Sequence, residues 1–273
     1  APEPLFRVAP ANATRAKEHG LDRWMRVGLR QSRDAQSVAA ALRSVDLLFE
    51  CVEVPSRVEL GEGEPPLPND PSFGLQYGMH NTGQTIQGTA GLVDADCDAP
   101  EAWAMGGVPP VIVGVVDGGV FLHEELAGRV LPGWNVLTQS PDTTDVCSSH
   151  GTHVSGIIAA KRNNGRGVAG MNDTALILPV RVFDSTCFGE WTTISEGLVW
   201  AADHGARIIN LSLGSETPDP TEKQAVEYAQ SNGVLVVAAA GNDGLGANAV
   251  NYPAGYPGVV AVGATDSTTA KIG

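Results

Sequence analysis

The stretch SSHGTHVSGII, residues 148–158, sets His150 and His153 three positions apart at the head of a small, apolar segment. On a helix, positions i and i+3 share a face, so two imidazoles there could hold a metal ion. They could equally be a catalytic base, His150, beside a packed neighbour, His153. In a third reading both are ordinary polar residues of a helix start. The metal reading needs a third ligand, and Asp117, which follows the apolar run VIVGVV, cannot serve both chemistries. Asn242 follows VLVVAAAG and offers a side-chain amide that can donate hydrogen bonds. Taken singly, Asp117 reads as a turn residue capping a strand and Asn242 as a support for the turn GNDG.

These side chains need a frame. VIVGVV (111–116), ALILPVRV (175–182), RIINLSL (207–213), VLVVAAA (234–240) and VVAVGA (259–264) are short, rich in β-branched residues and bounded by turn formers. Strands buried on both faces have this composition. Between them, TTISEGLVWAADHG places Ile194, Leu198, Ala201 and Ala202 on one helical face, and PTEKQAVEYAQSNG has Pro220 near its start and Gly233 just past its end. The alternation predicts an α/β fold: a doubly wound, mainly parallel sheet with helices on both faces. Chemistry in such sheets collects in the crevice at the carboxyl ends of the strands, where Asp117 and Asn242 fall, with His150 opening its helix. No GxGxxG or GxxxxGK[ST] follows any of these strands, which argues against a nucleotide site.

Taken together, VVDGGV, HGTHVSG, IINLSLG and VVAAAGNDG resemble the subtilisin-like serine proteases, most closely their thermitase-like branch, from about Asn69 to residue 273. The resemblance implies a secreted endopeptidase in which His150 is the general base, Asp117 orients it and Asn242 donates to the oxyanion. It implies that Ser212, Leu213 and Gly214 pair with a protein or peptide substrate as an added strand. His153 is then expected to pack inward. It also implies structural calcium, with Asp70 and Asn164 as ligands and Glu125 standing where the family has an aspartate. Cys147 and Cys187 match positions that several secreted members occupy with cysteine, which implies a disulfide between them. Two departures stand out. Gly118 follows the aspartate where the family has Thr or Ser, and no G-T-S-M-A-like nucleophile motif occurs in the 273 residues. The nucleophile is therefore expected downstream. The alternative is a catalytically inactive relative that serves as a binding or inhibitory module.

The domain organisation has the same shape. Residues 1–66 read as a strand at Trp24–Leu29, an amphipathic helix through Val38, Ala41, Leu42 and Val45, a second strand LLFECVEV, and a Pro-, Gly- and Glu-rich linker expected between about Val58 and Asn69. This resembles part of the family's α+β prosegment, which implies an intramolecular inhibitor of the peptidase domain at 67–273. The net charge of −14 lies in the larger part: residues 69–273 carry 8 Lys/Arg against 21 Asp/Glu. Such a surface repels nucleic acid and anionic membranes, and no apolar run approaches the roughly 20 residues of a membrane span. A monomer is expected. Four cysteines, Cys51, Cys97, Cys147 and Cys187, show no CxxC spacing, which argues against a zinc ribbon or a thioredoxin-type motif.

Overall fold

The computed structural model describes residues 3–4, 25–26, 66–106, 109–242, 251–268 and 271–272. The chain divides into two compact units, Ala1–Glu62 and Gly63–Gly273. In the first, Glu3–Pro4 pairs antiparallel with Met25–Arg26. The expected helix through Val38–Val45, the strand around Cys51 and most of the linker lie outside the described residues.

The second unit is built on six parallel strands: β1 (Ile112–Asp117), β2 (Trp134–Asn135), β3 (Leu176–Arg181), β4 (Ile208–Leu211), β5 (Leu235–Ala239) and β6 (Val260–Val262). Their spatial order is β6-β5-β4-β1-β3-β2. The chain thus works outward from β1 to one edge and returns past it to build the other, the winding that opens a crevice at the carboxyl ends. The helices are α1 (Ala99–Ala104), α2 (His150–Ala159), α3 (Trp191–Asp203) and α4 (Pro220–Ser231). Five of the strands fall within the five apolar runs, whose short, β-branched stretches carry no polar alternation to blur them. β2 carries no such run and was not legible.

Successive residues of β1 point to opposite faces, and each face has its own cover. Val113 and Val115 pack with Ile177, Leu126 and Ala159, the last at the end of α2. Val116 packs with Leu178, Val180, Leu198 and Ile209 beneath α3, and α4 extends that layer through Val226 and Ala229. Each of these fully buried aliphatic side chains contributes about 1.5–3 kcal/mol relative to exposure. α4 begins where its residues dictate: the Asp219 carboxylate accepts from the Thr221 and Glu222 amides, Pro220 occupies the first turn, and Gly233 at φ 75° follows the end. On the α2 side of the sheet, the β5–β6 end is bare among the described residues. Leu235, Val260 and Val262 are 46, 44 and 50% exposed there, whereas Val236 and Ala238 on the opposite face are buried.

Candidate active site

Because all six strands run parallel, their carboxyl ends share one edge of the sheet. Asp117 is the last residue of β1, Ser212–Gly214 continue from β4, and Asn242 stands exposed three residues past β5. His150 is the first residue of α2, which packs on β1 and β3. Its Nδ1 lies 2.9 Å from both carboxylate oxygens of Asp117. The carboxylate is almost fully buried, while the imidazole side chain is 51% exposed and free to meet a substrate.

Two glycines allow this approach. A Cβ on Gly151 would lie 2.2 Å from the Gly119 carbonyl oxygen and 3.1 Å from the Asp117 Cβ, so only glycine lets the first turn of α2 press against the end of β1. A Cβ on Gly118 would lie 2.6 Å from the Cβ of Cys147 and 2.9 Å from its sulfur. That accounts for the departure seen in the sequence: the space a Ser or Thr would need after the aspartate is filled by Cys147.

Electrostatically, burial raises the pKa of Asp117 above the ordinary carboxylate range; hydrogen bonds from His150 and from the Gly118 amide, at 2.7 Å, act in the lowering direction. With the carboxylate on Nδ1, the remaining ring nitrogen is the one available to take a proton from a nucleophile. Asp117 is the hydrogen-bond partner that the ring has among the described residues. Ser212 accepts from Asn210 Nδ2 and Ser215 shares a hydrogen bond with Thr217, so neither hydroxyl is engaged by His150. Ser267 is buried, and its carbonyl receives Asn81 Nδ2.

Substrate-pairing candidates Ser212 and Leu213 are half-buried and Gly214 is exposed. Just beyond them Ser215 exchanges two backbone hydrogen bonds with Tyr252, at 3.0 and 2.8 Å, which anchors one side of this segment.

The candidate calcium residues also converge. Asp70, almost fully buried, accepts from the amides of Asn163 and Asn164 at 2.8 and 3.1 Å, and Asn164 Nδ2 donates to Glu125 Oε2 at 3.1 Å. The longer glutamate side chain reaches the cluster. The set is one of hard oxygen donors, as calcium requires, although Asn164 Oδ1 at present accepts from the Arg166 amide.

Two expectations need correction. His153 is exposed: the inward face of α2 is Gly151, Thr152, Ser155 and Ala159, and a position three residues from His150 falls off it. Cys147 and Cys187, expected as a disulfide, are free thiols. They are neighbours, and burial together with the adjacent Cys187 thiol pushes the Cys147 thiol up to about 12. Cys97 is also free, and Cys51 lies outside the described residues.

One neighbour of the site escaped the sequence. Asp145 is buried and accepts from the Cys147 amide and from both the amide and hydroxyl of Thr152. A search for a helix cap stops at Ser149, the residue before α2, but Ser149 is left-handed at φ 63° and makes no side-chain cap.

Residues 110–272 match the subtilase family. Thermitase from Thermoactinomyces vulgaris is 42% identical over 206 residues, covering 75% of this chain and 67% of thermitase. Subtilisin Savinase from Lederbergia lenta is 44% identical over 156 residues, 57% of this chain and 56% of its own. Among solved structures, a protease from Pseudoalteromonas arctica superposes with a TM-score of 0.65 at 31% identity over 74% of this chain and 67% of the protease. Fervidolysin from Fervidobacterium pennivorans gives 0.54 at 37% identity, over 61% of this chain and 26% of fervidolysin. The family match runs through β1 with Asp117, α2 with His150 and β5 with Asn242, and on that basis the chain belongs to the subtilase family.

Proposed function

We propose that this chain is part of a secreted serine endopeptidase acting on protein or peptide substrates. The observation that carries the reading is the Asp117 carboxylate seated on His150 Nδ1 at the carboxyl edge of the sheet. In the proposed reaction His150 takes the proton of a serine hydroxyl as that oxygen attacks the scissile carbonyl, then returns it to the leaving amine. Asp117 holds the tautomer and stabilises the imidazolium. Asn242 donates its amide to the tetrahedral oxyanion, an interaction commonly worth about 3 kcal/mol. The substrate backbone pairs with Ser212–Gly214 as an added strand.

The serine is proposed to lie on a helix-bearing segment outside these 273 residues. The exposed apolar face formed by Leu235, Val260 and Val262 supports this, since it is a sheet surface of the kind a helix covers. Residues 1–66 are proposed to act as the prosegment and inhibitor, and the mature protein is proposed to be a monomer. Calcium is proposed to be held by Asp70, Glu125 and the Asn164 amide, where its charge would tie the 163–167 loop to the Glu124–Leu126 turn. The Cys147–Cys187 bridge is proposed only for an oxidised form.

A fluorophosphonate probe with a generic peptide amide tests the assignment. The 273-residue chain should neither label nor hydrolyse, whereas a protein carrying the same chain together with a subtilase nucleophile segment should do both, and lose both on His150→Ala. Specific labelling of one serine in the 273-residue chain, abolished by His150→Ala, would overturn the placement of the nucleophile. A longer protein that folds, binds peptide and never labels would be an inactive binding module.

A further inference from the structure

We infer that Asp145 is a positioning residue for the Asp117–His150 pair: its carboxylate replaces the missing side-chain cap of α2 and clamps that helix to the segment leaving β1. The inference rests on the proteolytic reading only for its purpose, since the geometry stands without it.

The head of α2 lacks the usual means of holding its free amides. Ser148 and Ser149 are both left-handed, at φ 51° and 63°, and the Ser149 side chain caps nothing. Asp145 supplies the cap from outside the helix. Its Oδ2 accepts from the Thr152 amide at 2.9 Å and the Thr152 hydroxyl at 2.8 Å, and its Oδ1 accepts from the Cys147 amide at 2.9 Å. The Thr152 hydroxyl oxygen in turn accepts from the Phe121 amide at 2.9 Å. Phe121 belongs to the strand exit that begins at Asp117, and the same exit receives the Val146 amide on the Gly118 carbonyl, at 3.1 Å. Three of these bonds end on a buried charge beside a helix N-terminus, where each is stronger than a neutral pair.

The consequence for His150 is geometric. Residues 145–152 form a closed loop with His150 inside it, tied at Cys147 and Thr152 by one carboxylate and to the Asp117 side by Phe121. The imidazole is half exposed, so among the described residues nothing on its solvent side keeps it on Asp117. Its direction is set by its backbone, and the Asp145 clamp is what sets that backbone. A carboxylate is required rather than an amide, because all three donors point at it and an asparagine would turn an N–H toward one of them.

The test is the hydrogen-bonded imidazole proton between His150 Nδ1 and Asp117, followed by proton NMR in the 273-residue chain and assigned by its loss in Asp117→Asn. Its exchange with water should rise about tenfold or more in Asp145→Asn and Asp145→Ala, as expected for losing hydrogen bonds to a charged group. Thr152→Val should give a smaller rise and Thr152→Ser almost none. Amides in the second half of α2 should stay protected in all four. Val226→Ala in α4 serves as a destabilised control whose imidazole proton should not change. Unaltered proton exchange in Asp145→Asn and Thr152→Val, with lowered melting temperatures, would make Asp145 a purely structural cap and overturn the inference. If Asp145→Ala does not fold, Asp145→Asn and Thr152→Val still decide it. Because no hydrolysis is measured, this outcome is separate from the fluorophosphonate result.

Discussion

Glu222 should make this protein lose stability as the pH rises from the acid range to neutrality. It is the third residue of α4 and has no solvent exposure. Beside it the Tyr256 hydroxyl accepts from the Asp219 amide at 2.8 Å and donates to the Asp219 carbonyl at 2.9 Å, so its single proton is already committed. Neither carboxyl oxygen of Glu222 completes a hydrogen bond. Burial, with a further contribution from Asp219, pushes its pKa from 4.5 up to about 7 against the lowering influence of Tyr256. Tyr256 itself, pushed up to about 12 mainly by burial, stays protonated throughout this window. The sign follows from proton counting. Between 4.5 and about 7 the folded chain holds a proton on Glu222 that the unfolded chain has released, so stability falls as pH rises and levels off above the folded value. The gap corresponds to about 3 kcal/mol, or a melting temperature lower by about 6–12 °C for a domain of this size. Glu222→Gln is neutral at every pH and should remove that component. Denaturant or thermal unfolding of both proteins at pH 5, 6, 7 and 8 measures it, because other titrating groups cancel in the difference. The glutamine variant should be the weaker of the two at pH 5 or equal to wild type, and the stronger at pH 8. Parallel curves would refute the reasoning and mean that Glu222 finds a partner or water when ionised.

Other perturbations follow from the same geometry. Gly118→Ser should cost about 1–3 kcal/mol by overpacking against Cys147, and adding Cys147→Gly, which removes the Cβ as well as the sulfur, should show a favourable coupling in a double-mutant cycle of unfolding free energies, whereas Cys147→Ala, which keeps the Cβ, should recover less. Ser149→Gly should raise stability by about 1 kcal/mol, because a left-handed backbone at φ 63° is relieved and no side-chain cap is lost; an unchanged or lower unfolding midpoint counts against this. For the proposed calcium site, chelator should lower the melting temperature of the wild type and have no further effect on Asp70→Ala; a wild type indifferent to chelator removes the site.

The parts of the molecule that could be read from the chain are those where a local pattern has one physical meaning. VIVGVV and VLVVAAA read as strands from their short runs of β-branched residues, and α4 is announced at both ends, by Asp219 with Pro220 and by Gly233. Asp117, His150 and Asn242 drew notice because each follows a strand or opens a helix at the crevice. Their roles were implied only by the resemblance of their joint motifs, and the structure adds the contact between Asp117 and His150. β2 was not, since its two residues pair without an apolar run of their own. The inward packing expected of His153 failed because which side of α2 meets the sheet is set by Gly151 against Asp117, a contact between segments more than thirty residues apart.

Sequence alone, then, determined five of the six strands, the limits of α4 and the residue types able to do acid–base chemistry, since periodicity and capping are properties of neighbours along the chain. Tertiary structure alone decided that Asp117 faces His150 Nδ1, that Cys147 forbids a side chain at position 118, and that Asp145 rather than Ser149 caps α2. It also left Glu222 buried beside the Tyr256 hydroxyl, with neither carboxyl oxygen completing a hydrogen bond among the described residues. Each of these depends on which groups meet across the fold and on how much water is excluded when they do, and neither quantity is carried by any local stretch of residues.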